Sequence, residues 1–132
     1  MEKTIYWAVL LEKEHSKALQ AIFQPAHPNI YAEHTTIVFQ PDEEQDVKWM
    51  KRLGERVELL IVGHAKDDKG DAVVVEGIER EGGGIPHITL SCADKTKPFY
   101  SNALLAKGFT KTLPVRVVGI IARYTSQGWI TK

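Results

Sequence analysis

The feature that most limits how this chain can fold is a short phrase that occurs twice inside strand-like apolar runs. The first copy is His34-Thr35-Thr36-Ile37, within Ile30 to Gln40. The second is His87-Ile88-Thr89-Leu90, within Ile85 to Cys92. Side chains at i and i+2 of a strand share a face. Each copy therefore sets an imidazole beside a hydroxyl on one face. On the first strand His34, Thr36 and Val38 are expected on that face, with Thr35, Ile37 and Phe39 opposite. On the second, His87, Thr89 and Ser91 stand against Ile88, Leu90 and Cys92. Two such strands side by side would hold a pair of histidines over a pair of threonines. That set can move protons at both ends of a phosphate ester.

A single His-x-Thr carries little information. About one histidine in eight would have Ser or Thr at that spacing by chance in an ordinary composition. Of the five histidines, His15, His27 and His64 lack the spacing. The structural alternative is two strand histidines, each satisfied by a neighbouring hydroxyl. The apolar reverse faces argue for the open-cleft reading, because they leave the His/Thr side free of core duty.

The rest of the chain reads as strands with two or three helices. Ile5 to Leu11 is an apolar, buried-type strand. A helix is expected from near Glu14 to Phe23, ended by Pro25 and Pro28. Asp42 and Gln45 have the spacing of a capping box, opening a helix with the apolar stripe Val47, Met50, Leu53 and Val57. Glu58 to His64 and Ala72 to Ile78 form a hairpin about Asp67 to Asp71. Glu79 to Gly84 is a loop expected to be mobile. A short helix follows over Ser101 to Lys107, closed by Gly108. Leu113 to Tyr124 is a long strand, and Trp129 to Lys132 a short last one. The two halves nearly repeat, which suggests α+β architecture with a pseudo-twofold.

Composition narrows the function. With 132 residues the chain is expected to be one domain, 1–132, and Lys plus Arg balance Asp plus Glu to give a net charge of zero. A protein that grips long nucleic acid by its backbone needs a basic face, so a small anionic substrate or a single strand end fits better. One cysteine, Cys92, rules out a disulfide framework or a cysteine-rich metal site. Cys92 lies on the face opposite His87 and reads as a core residue. No carboxylate–histidine spacing supplies a closed metal site, so neither metal nor cofactor is expected. The absence of a signal-like N-terminus and of any membrane-length apolar run suggests a cytoplasmic, monomeric protein without membrane contact.

These two motifs, His34-Thr35-Thr36-Ile37 and His87-Ile88-Thr89-Leu90, resemble the signature of the 2H phosphoesterase superfamily. Lys97-Pro98-Phe99-Tyr100-Ser101-Asn102 is similar to a segment of the cyclic phosphodiesterase domain of fungal-type tRNA ligases. The resemblance implies a two-lobed, pseudo-symmetric fold, with mostly antiparallel sheets forming a central cleft and helices outside. It implies a metal-independent phosphodiesterase acting on 2′,3′-cyclic phosphate ends of RNA or nucleotides. His34 and His87 would be general acid and base, in an order the sequence leaves open, and Thr36 and Thr89 would bind phosphate. Tyr31, Tyr100, Trp7 and Tyr124 are candidates for stacking on a base, and Ser101 and Asn102 for touching substrate. Arg116, Arg123, Lys95 and Lys97 are candidate sources of positive charge. The alternatives are cleavage of cyclic nucleotide signals or of oligoribonucleotide 3′-ends, or a module that binds a nucleotide or RNA end without turnover.

Overall fold

The structure, a computed structural model, describes residues 2–132. In chain order the elements are β1 (Tyr6–Leu11), α1 (Lys13–Ile22), β2 (Asn29–Ile30), β3 (His34–Phe39) and α2 (Glu43–Met50). There follow β4 (Arg56–Lys66), β5 (Gly70–Glu76), β6 (His87–Cys92), α3 (Tyr100–Ala106), β7 (Thr110–Thr125) and β8 (Gly128–Ile130). Strands run side by side in the order β1-β3-β6-β5-β4-β7, and β7 returns to pair with β1. The result is a closed antiparallel barrel, with β2 added beside β6 and β8 beside β7. The α+β expectation stands at this level. In place of separate sheets flanking a cleft, however, the strands form one ring. The long β4 and β7 account for this: they pair from Arg56 opposite Ile120 to His64 opposite Thr110 and shut the far side.

Period-two patterning fills the ring. Trp7, Val9, Ile37, Leu59, Ile61, Val73, Val75, Ile88, Leu90, Val117 and Ile121 form one buried cluster, joined by Leu19 of α1 and Trp49 of α2. A smaller cluster packs Leu104 and Leu105 of α3 on Ala72 and Val74 of β5. Gly119 permits closure, since a Cβ there would lie 2.5 Å from the Leu10 carbonyl oxygen. The Asp42–Gln45 capping box forms as expected, with the Gln45 amide 2.8 Å from the Asp42 carboxylate. Of the expected apolar stripe, Val57 is buried and Met50 and Leu53 pack against the core, whereas Val47 is exposed and Trp49 is the buried residue of α2. No described helix is long and apolar enough to cross a membrane.

Two irregularities aim the first phrase. The expected strand from Ile30 to Gln40 breaks at Tyr31 to Glu33, where Ala32 takes a φ of 52°. The Tyr31 and Ala32 amides bond to the Leu90 and Thr89 carbonyls, at 2.9 and 2.8 Å, before the chain crosses over to pair with β1. A bulge then falls at Ile37, because Trp7 faces Val38 while Ala8 faces Thr36. An extra residue reverses the alternation beyond it. Val38 is buried in consequence and Phe39 is exposed on the Thr36 side, the reverse of the simple parity.

Where β3 meets β6 the barrel has a single register pair, Thr35 opposite Ile88, both fully buried. The Thr35 hydroxyl is buried without a hydrogen-bond partner among the described residues. An unsatisfied buried hydroxyl costs stability, and valine has the same shape without it. Thr35→Val is expected to raise the unfolding free energy by about 1 kcal/mol, read as a shift in the urea midpoint. A lower midpoint would show that the hydroxyl has a partner such as a buried water.

Candidate active site

With Thr35 and Ile88 pointing into the barrel, their neighbours in sequence point out. Continuing the antiparallel register by one residue brings Thr36 across from His87 and His34 towards Thr89. A local twofold thus relates the two phrases through backbone pairing alone. All four side chains line one cavity of about 720 Å³, walled also by Tyr6, Tyr31, Phe39, Phe99 and Tyr124. Cys92 is buried and free, away from this cavity, as its parity requires.

The two histidines sit in different settings. His87 is 8 % exposed, and its Nδ1 lies 2.8 Å from the Ile85 carbonyl oxygen. A carbonyl can only accept, so Nδ1 carries the proton and Nε2 is the nitrogen left for the cleft. Burial lowers the pKa of His87 below its ordinary value; the Ile85 bond works the other way, and Arg80 and His34 add to the lowering. Arg80 Nη1 is 3.3 Å from the same Nδ1, but guanidinium has no lone pair to offer a proton-bearing nitrogen. This contact is electrostatic.

His34 is held by aromatic rings. Tyr6 stacks on it at 5.3 Å and 21°, and Trp129 of β8 meets it edge-on at 5.3 Å. The Glu33 carboxylate stands 3.7 Å from its Nδ1, too far for a hydrogen bond. His34 in turn holds the Glu33 carboxyl below the ordinary carboxylate range, against the effect of burial. The Tyr6 hydroxyl is pushed well up by burial and the nearby Glu33, so it stays a protonated donor. Within the cleft lining, Glu33 is the one carboxylate and Arg80 the one arginine, each beside a different histidine.

Thr89 is positioned from behind. Its Oγ1 lies 2.8 Å from the Ser101 hydroxyl and donates to the Pro98 carbonyl over a longer 3.3 Å. Ser101, only 1 % exposed and inside α3, is therefore a support for Thr89 and not a wall of the cleft. Asn102 does line the cavity.

The remaining candidates divide. Tyr31 and Tyr124 line the cleft. Trp7 does not, being wholly buried in the barrel with its Nε1 2.8 Å from the Asp46 carboxylate. Tyr100 also points elsewhere, donating to the Asp67 carboxylate and lying beside Lys107. That bond and the Lys69 and Gly70 amides bring the Asp67 carboxyl down to about 2, although burial opposes them. Arg116 pairs with Glu58, and the buried Arg123 bonds the Glu2 carbonyl and Thr4, both outside the cleft. Lys95 and Lys97 are not among the cleft residues.

Arg80 and Glu33 were not among the candidates from sequence. Glu33 carried the simplest signal, adjacency to His34. Arg80 lies between two acids in the stretch from Glu79 to Gly84, which reads from sequence only as a mobile loop. In the structure those acids are engaged by α2. Lys48 reaches Glu79 and Glu81, each at 3.3 Å, and the Trp49 indole donates to Glu81. The Glu81 amide also bonds the Ile37 carbonyl at 2.8 Å. The first half of a loop expected to be mobile is thus anchored, and Arg80 is left facing the cleft.

No protein-family model matches the chain, and no curated protein matches it.

The lowered pKa of His87 has a consequence for stability. Below its ordinary value of 6.5 the unfolded chain takes up a proton that the folded chain refuses. Stability should be fully present above pH 6.5 and fall as pH drops towards the lowered value. Urea unfolding at pH 7.5 and at pH 5.5 is expected to show a smaller pH-dependent loss in His87→Gln than in wild type. An equal loss in the two proteins would mean that His87 is not desolvated.

Proposed function

We propose that this protein is a 2H-type phosphodiesterase that opens 2′,3′-cyclic phosphates at RNA ends or on nucleotides, without a metal ion. The observation that carries this reading is the convergence of His34, Thr36, His87 and Thr89 on one cavity. In this reading the barrel's two halves, β7-β1-β3 and β4-β5-β6, correspond to the two lobes of the 2H phosphoesterase fold, meeting at the Thr35–Ile88 pair.

The settings of the two histidines support one order for the roles that the sequence left open. His87 is the general base. Burial favours its neutral form, and the Ile85 carbonyl fixes the tautomer with the Nε2 lone pair free. His34 is the general acid, since its protonated form has the Glu33 carboxylate as counter-charge. Water attacks phosphorus as His87 Nε2 takes its proton. The bond to one ribose oxygen breaks, and His34 gives that oxygen a proton, leaving a phosphate monoester. Solvent exchange then restores both rings. The Thr36 and Thr89 hydroxyls donate to the non-bridging oxygens, where charge accumulates. Thr89 can turn to do so because its bond to Pro98 is long while Ser101 holds its oxygen in place. Zero net charge and a compact cavity suit a nucleotide or a single RNA end.

The test is turnover of a nucleoside 2′,3′-cyclic phosphate in EDTA. Wild type should form a monophosphate, and His87→Ala and His34→Ala should each lose about 10²- to 10⁴-fold in kcat. The pH profile of kcat/KM should be bell-shaped, with the acid limb below 6.5 because the His87 pKa is lowered. Loss of activity in EDTA would overturn the metal-free mechanism. Wild type that binds the cyclic phosphate without turning it over would instead be a binding module.

A further inference from the structure

One arginine, Arg80, lines the cleft, and no carboxylate pairs with it among the described residues. The other arginines have partners: Arg52 pairs with Glu55, Arg56 with Glu12 and Arg116 with Glu58, and Arg123 donates to the Glu2 carbonyl and the Thr4 hydroxyl. Glu79 and Glu81, the neighbours that would serve Arg80, are occupied by Lys48 and the Trp49 indole. Arg80 has its pKa lowered by burial alone, with no acid near enough to raise it. It is also held 3.3 Å from the proton-bearing nitrogen of His87, an arrangement that gains nothing in the free protein. Half-buried charge without a partner is costly. The loop nevertheless fixes it there, through the Glu81 amide bond to Ile37 on one side. On the other side run Gly82, Gly83 and Gly84, all at positive φ.

We propose that Arg80 is the anion-binding residue of the cleft, its guanidinium taking the non-bridging oxygens of a phosphate seated between His34 and His87. The planar fork of arginine matches two phosphate oxygens at once, and charge-assisted bonds of this kind are the stronger class. The ligand thereby supplies the counter-charge that the protein withholds. Arg80 has a second effect. Of the charged groups around His87, it and His34 are the ones that oppose protonation, so Arg80 helps to keep His87 ready as a base. The identification of the anion as a phosphate ester rests on the function proposed above; the cation and its vacancy of partners do not.

The experiment compares wild type, Arg80→Lys and Arg80→Gln in the full chain, with inorganic phosphate as probe and the imidazole NMR signals of His34 and His87 as readout. Phosphate should move both imidazole signals in wild type. Arg80→Gln should weaken phosphate binding at least about tenfold, with Arg80→Lys in between. Without phosphate, His87 should titrate at higher pH in Arg80→Gln than in wild type. The melting temperature of free Arg80→Gln should equal or exceed that of wild type, because an unneutralised charge has been removed. The proposal is overturned if Arg80→Gln binds phosphate as tightly as wild type, or if it melts lower or fails to fold, the mark of a purely structural arginine. Failure of the phosphodiesterase reading looks different: no turnover of cyclic phosphate, yet phosphate binding that still depends on Arg80.

Discussion

The pairing of Thr35 with Ile88 is the contact on which the rest of the site depends. Both side chains are driven into the barrel by the apolar interior, and that fixes the direction of the residues on either side. A slip of one residue would turn both histidines into the core. Register here is set by packing on the inner face, while the chemistry proposed for the chain is carried on the outer one. The same arrangement explains why the two phrases can be alike. A twofold between antiparallel neighbours needs only the same local pattern on each strand, whatever the remainder of the chain does.

The backbone is symmetric across this seam, and the charges are not. Glu33 stands beside His34, and Arg80 beside His87. His34 is stacked among aromatic rings at the β8 side, whereas His87 is buried with its Nδ1 tied to Ile85. Two similar imidazoles thus sit in unlike settings, and burial holds the pKa of His87 below its ordinary value. The asymmetry comes from segments outside the repeated phrases: the kink before β3 and the loop before β6.

What could be read from sequence follows from this division. The motifs, the face shared by each His and Thr, the core role of Cys92 and the capping box on α2 are all local, and local patterns survive folding. Phe39 and Val38 were misassigned because one bulged residue at Ile37 reverses the alternation, and nothing in the apolar run marks it. Trp7 looked like a stacking residue, but an aromatic in a strand follows the parity of that strand into the core. Tyr100 and Ser101 lie one residue apart on α3 and serve different partners, Asp67 and Thr89, a split that depends on helix phase. Arg80 was concealed because its fate depends on which acids find other partners, and those partners, Lys48 and Trp49, lie far away in sequence. Closure of the barrel was likewise out of reach, since it requires β7 to pair with both β1 and β4.

The most direct measurement is a crystal structure with a nucleoside 2′-monophosphate, the kind of product the proposed reaction would leave. The account predicts the phosphate between His34 and His87, with an oxygen within hydrogen-bond distance of each ring and of Thr36 and Thr89. A phosphate bound elsewhere, or touching only one of the two imidazoles, would contradict it.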